Sequence, residues 1–122
     1  MVFGIINGNP NLIRDQGLDS PTLAILQRIF TKYPAIEQVK LYGSRAKGTH
    51  GDHSDIDLVA FGFGLNRFVI AEVLMDLDDT EIPYLVDLQN YHELKNRRLI
   101  EHIDRVGITI YQKKTCMENS AG

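Results

Sequence analysis

Residues 42–58 read YGSRAKGTHGDHSDIDL, and the run continues as VAF to Phe61. Asp55 to Phe61 has the make-up of a strand, yet Asp55 and Asp57 interrupt it. Aspartate is depleted in strands and seldom buried without a partner. Strand side chains alternate faces, so Asp55 and Asp57 point to one side, about 7 Å apart along the backbone, and Ile56 and Leu58 to the other. The apolar side is the expected core. The other side holds two anions that repel each other unless something positive lies between them. A hard divalent cation such as Mg²⁺ takes carboxylate oxygens and bridges to substrate phosphates.

A third carboxylate fits the same scheme. Asp87 lies in YLVDLQN, flanked by Val86 and Leu88, so it too projects away from the core. If this strand lies beside Asp55 to Phe61, the three carboxylates converge. Three are enough for two metal ions, about 3.5–4 Å apart, in an in-line displacement at phosphorus. Upstream, Gly43 and Ser44 sit where a strand meets a helical turn, and backbone N–H groups at such a turn favour anions. Gly43 admits a phosphate close to the backbone. The Ser44 hydroxyl adds a donor, and Arg45 and Lys47 are candidate cations for the phosphates.

Working outward, a first helix is expected from Ser20 as N-cap and Pro21 at the first helical position. Leu23, Leu26, Ile29, Phe30 and Tyr33 recur along it at helical spacing, and Pro34 ends it. Val39 to Tyr42 reads as a strand, Ser44 to Lys47 as a helical turn, and GTHGDHS as a loop. Asn66 to Asp78 reads as a helix whose end is crowded by Asp76, Asp78, Asp79 and Glu81, against the helix dipole. Pro83 opens a strand from Tyr84 to Gln89. A third helix is expected over His92 to Val106, stopped by Gly107, and a last strand over Ile108 to Gln112. Alternating strands and helices imply an α/β (α+β) domain with one sheet flanked by helices. We expect a single domain over 1–122, with an N-terminal arm at 1–17, a core at 18–112 and a polar tail at 113–122.

Composition narrows the function. A chain of 122 residues, 43% hydrophobic and 24% charged, matches a soluble globular domain. A formal charge of -3 argues against broad nucleic-acid binding, which needs a basic face. A single cysteine, Cys116, excludes a disulfide framework and any multi-cysteine metal site. The N-terminus lacks the basic region and apolar length of a signal peptide, and no stretch approaches the roughly 20 apolar residues of a membrane span. A cytoplasmic setting is expected.

Gly43-Ser44, ten intervening residues, Asp55-Ile56-Asp57 and a later Asp87 together resemble the nucleotidyltransferase superfamily related to DNA polymerase beta. The wording GSRAKG…SDIDL is most similar to its minimal nucleotidyltransferase branch. The resemblance runs from about Gly17 to Gln112 and meets the family pattern at all five positions. It implies a nucleotidyltransferase fold in which Asp55 and Asp57 ligate both Mg²⁺ ions. Asp87 would hold the ion that activates the attacking hydroxyl, and Gly43 and Ser44 the triphosphate of ATP. Relatives that modify tRNA or antibiotics carry extra helical domains for the acceptor, and this chain has no room for one. Minimal nucleotidyltransferases typically pair with a HEPN-domain toxin. The resemblance therefore implies an antitoxin that transfers AMP from ATP to a tyrosine of that partner. Two other readings stand beside it. One is a catalytically vestigial antitoxin that neutralises by occlusion. The other is nucleotidyl transfer to a small molecule or an RNA end.

Other patterns carry less. GSRAKGT falls short of a P-loop because Thr49 stands where lysine is required. Gly62-Phe63-Gly64 lacks the third glycine of a dinucleotide loop, since Arg67 occupies it. His50 and His53 read as solvated loop residues, and Arg97 and Arg98 as a solvated or partner-facing helix surface.

Overall fold

The computed structural model describes residues 18–48 and 54–113. The expected N-terminal arm, most of the GTHGDHS loop with His50 and His53, and the tail beyond Lys113 lie outside the described residues. In chain order the elements are α1 (Ser20–Thr31), β1 (Gln38–Tyr42), α2 (Gly43–Lys47), β2 (Ile56–Phe61), α3 (Arg67–Asp78), β3 (Val86–Asn90), a 3₁₀ turn (Tyr91–Glu93), α4 (Arg97–Val106) and β4 (Ile108–Gln112). The strands form one mixed sheet in the order β3-β2-β1-β4. β1 pairs antiparallel with both β2 and β4, and β2 pairs parallel with β3. The expected α/β architecture is the one observed.

The main core lies on one face of the sheet. Leu26 and Phe30 of α1, Val73 and Leu77 of α3, and Val39, Leu41, Ile56, Leu58, Leu88 and Ile110 from the strands are buried together. Each such side chain stabilises the fold by about 1.5–3 kcal/mol relative to exposure. Ile56 and Leu58 therefore point inward as the alternation predicts. Val59 is buried too, because α4 covers part of the opposite face and packs Ile103 against Val59 and Tyr42. The second face is thus core at its centre, and among the described residues its end beyond Val59 is less covered, with Asp57 half-buried and Asp87 exposed.

Several boundaries differ from the sequence reading, each for a local reason. The N-cap of α1 is Asp19, not Ser20: its carboxylate accepts from the Thr22 N–H at 3.2 Å and from the Thr22 hydroxyl at 2.9 Å. The helix expected from His92 begins only at Arg97. Asn90 caps the 3₁₀ turn through the His92 N–H, Leu94 is extended, and Asn96 accepts from the Leu99 N–H to start α4 afresh. Gly107 follows α4, but at φ -62 rather than in the left-handed form expected of a glycine stop. The acidic end of α3 holds to Asp78 because Asp76 is neutralised from outside the helix. Tyr33 donates its hydroxyl proton to Asp76, Lys32 lies 3.2 Å away, and the Thr80 hydroxyl caps the Leu77 carbonyl at 2.6 Å.

Candidate active site

The register of the sheet draws the site in one line. Tyr42 on β1 is opposite Asp57 on β2, and Asp57 is opposite Asp87 on β3. Opposed residues share a face, so all three side chains project from the open end of the second face. Asp55 is exposed and lies just before β2, two residues from Asp57. The structure thus brings Asp55, Asp57 and Asp87 to one end of the sheet. Among the described residues, however, no three His, Cys, Asp or Glu side chains close on a common point tightly enough to hold a metal. The Asp87 carboxylate accepts from the Gln89 amide at 3.0 Å, which turns it along its own strand. Mutual repulsion favours that separation.

Electrostatics record the crowding. Asp57 has its pKa raised above the ordinary carboxylate value, first by burial, then by the charges of Asp87 and Asp55, with Arg45 opposing. The Tyr42 phenol is pushed up to about 12, first by burial and then by Asp87 and Asp57. Negative potential therefore accumulates along this line. The donor set is all carboxylate oxygen, and added positive charge would relieve the repulsion. These residues fit a hard divalent cation.

Gly43 explains how the turn reaches the carboxylates. It has φ +78, a conformation open to glycine at little cost. A Cβ there would lie 2.5 Å from Oδ2 of Asp57. The absence of a side chain lets the end of β1 and the start of α2 press against the Asp57 carboxylate. Ser44 is half-buried in the first turn of α2, and Lys47 is exposed at its last turn. Gly48, at φ +79, ends the helix in the left-handed form.

Arg45 is placed differently from the other candidates. It is only 4% exposed. Its Nε and Nη2 both donate to the Ser54 carbonyl, at 3.1 and 2.8 Å, and its guanidinium lies 4.3 Å from the centre of the Tyr84 ring. Tyr42 was not singled out in the sequence. Its place beside Asp57 comes from the antiparallel pairing of β1 and β2, which no local pattern encodes.

The polymerase beta nucleotidyltransferase family matches residues 25–115, a span that contains every residue of this site. The chain belongs to that family. Solved structures share the fold. A toxin–antitoxin crystal structure with AMP-PNP contains a chain that is 21% identical, with TM-score 0.59, covering 85% of this chain and 80% of that one. A chain of the toxin–antitoxin MntA-HepT is 18% identical with TM-score 0.51, covering 83% and 74%. A structure of the tri-AMPylated Shewanella oneidensis HEPN toxin in complex with MNT antitoxin contains one that is 16% identical with TM-score 0.51, covering 81% and 78%. At such identities the likeness is one of fold. Comparison with curated proteins returned no match. No helix among the described residues is long and apolar enough to cross a membrane.

Proposed function

We propose that this chain is a Mg²⁺-dependent nucleotidyltransferase that moves AMP from ATP to a tyrosine hydroxyl of a HEPN-domain toxin in the cytoplasm, and so acts as its antitoxin. One observation carries this: Gly43 presses on the carboxylate of Asp57, which pairs in register with Asp87. A phosphate-compatible turn thereby meets the Asp57 carboxylate, at the same end of the sheet as Asp55 and Asp87. The neighbouring structures supply the partner class, since one is described with AMP-PNP and another with an AMPylated HEPN toxin.

In the reaction the acceptor hydroxyl gives up its proton to solvent as its oxygen bonds to the α-phosphorus of ATP, the bond from that phosphorus to the bridging oxygen breaks, and pyrophosphate leaves. Mg²⁺, when bound, would supply positive charge to this displacement. Asp55 and Asp57 would hold both ions, and Asp87 the ion nearest the acceptor. Gly43 lets phosphate approach the backbone, and the Ser44 hydroxyl orients it. Lys47, exposed beside them, balances the charge of the triphosphate. The open sheet end leaves the acceptor to be presented by another molecule.

One observation favours the occlusion reading: the three carboxylates do not close on a common point. The two readings separate in one experiment. The chain, ATP labelled at the α-phosphate, Mg²⁺ and a HEPN-domain protein are incubated together, with wild type and Asp57→Asn in parallel. Label on the toxin with wild type alone supports transfer. No label, with neutralisation retained by Asp57→Asn, supports occlusion.

A further inference from the structure

We propose that Arg45 is a positioning residue, which locks the three segments bearing the site together rather than contacting the nucleotide. This rests on the proposed nucleotidyl transfer for its functional consequence, but not for its structural one. The two cations of α2 have parted company. Lys47 is exposed, whereas Arg45 is turned inward. Residues two apart on a helix point in nearly opposite directions, so both cannot face one triphosphate.

What Arg45 touches is specific. Ser54 immediately precedes Asp55, and the Arg45 Nε and Nη2 groups donate to its carbonyl. Tyr84, whose ring lies against the guanidinium face, precedes β3 and hence Asp87. Leu85, the next residue, accepts the Ile56 N–H at 2.8 Å. Arg45 itself follows Gly43 by two positions and Ser44 by one. A single side chain therefore joins the glycine-serine turn, the start of the Asp55–Asp57 strand and the approach to Asp87.

The chemistry requires arginine. Its planar fork gives two N–H groups to one carbonyl while its face stacks on an aromatic ring. Lysine offers a compact charge that cannot make both contacts and is costlier to bury. Burying a charge is unfavourable unless it is paired and hydrogen-bonded. A residue that only needed to meet a phosphate at the surface would have no reason to be sequestered in this way.

Arg45→Lys and Tyr84→Leu test the assignment on the full chain. The second variant removes the stacking face and leaves the charge in place. Amide hydrogen exchange without metal reads the structural part. Both variants should speed exchange about tenfold or more at Ile56 and its neighbours, with α1 and β4 unchanged. Steady-state transfer reads the consequence. We expect kcat to fall about tenfold or more and the Mg²⁺ concentration for half-activation to rise, with the KM for ATP held within about twofold. Unchanged exchange together with a raised KM for ATP would overturn the proposal in favour of a phosphate contact. Faster exchange spread evenly through α1 and β4 would overturn it in favour of a general stabilising role. If wild type transfers nothing, the proposed function fails and the exchange pattern still decides the role of Arg45. If Arg45→Lys does not fold, Tyr84→Leu decides it.

Discussion

Gly43 and Asp57 meet where β1 ends, so closely that a Cβ on Gly43 would sit 2.5 Å from Oδ2 of Asp57. Two demands fall on this one glycine. Its φ of +78 disfavours any side chain, and the carboxylate leaves no room for one.

Gly43→Ala should therefore lower stability by about 1–2 kcal/mol for the left-handed conformation alone. It should also displace Asp57 and abolish transfer. Gly48 provides the control. It has φ +79, but a Cβ there meets nothing within 4 Å among the described residues. Gly48→Ala should lose similar stability in urea melts and retain most of its transfer activity.

Asp57→Asn should behave oppositely in stability and function. Burial and the charges of Asp87 and Asp55 make the ionised Asp57 unfavourable, so in EDTA the variant should melt no lower than wild type. Mg²⁺ should raise the wild-type Tm, since a ligand at a hundredfold its Kd adds about 2.7 kcal/mol. The variant should show little of that rise and no transfer. A large drop in the metal-free Tm of Asp57→Asn would mean that the carboxylate is structural.

Tyr33 and Asp76 set a pH signature far from the site. The hydrogen bond from Tyr33 and the bond to Lys32 hold the Asp76 pKa below its ordinary value, so its contribution is present above about pH 3.9 and is lost as pH falls through the depressed value. Asp76 pushes the Tyr33 phenol up to about 12. The phenol's contribution is whole below about pH 10 and fades as pH rises through about 12. Tyr33→Phe should reduce the alkaline loss, leaving the share of Tyr42, whose phenol is also pushed up to about 12, and weaken the acid one in Tm measured against pH.

Lys47→Ala should leave the Tm almost unchanged, because the side chain is exposed. A charge-assisted contact to phosphate contributes about 1.5–3 kcal/mol, so the KM for ATP should rise about tenfold or more. Added salt should narrow the gap between variant and wild type.

Local pattern carried much of the architecture. The alternation of Ile56 and Leu58 against Asp55 and Asp57 fixed which face of β2 is core, and the spacing of Leu26, Ile29 and Phe30 fixed α1. Caps were harder. Asp19 and Ser20 are both good N-caps, and only the reach of Asp19 to Thr22 decides between them. Asn96 splits the expected third helix because its side chain takes the Leu99 amide that a continuous helix would have used. Long-range pairing was out of reach of local pattern. It places Tyr42 beside Asp57, and it lets α4 bury Val59 on the face that alternation leaves open. Charge and neighbours make Arg45 a candidate for the phosphates. Its burial depends on Ser54 and Tyr84, which come together only in the fold.

The most direct measurement is transfer itself. The chain is incubated with its proposed HEPN-domain partner, Mg²⁺ and ATP labelled at either the α- or the γ-phosphate, and the intact proteins are weighed by mass spectrometry. The geometry of Gly43, Asp57 and Asp87 predicts α-label and whole AMP units on a partner tyrosine, no γ-label, and loss of both signals with Asp57→Asn. A partner that stays unlabelled yet is fully neutralised by wild type and Asp57→Asn alike would contradict it.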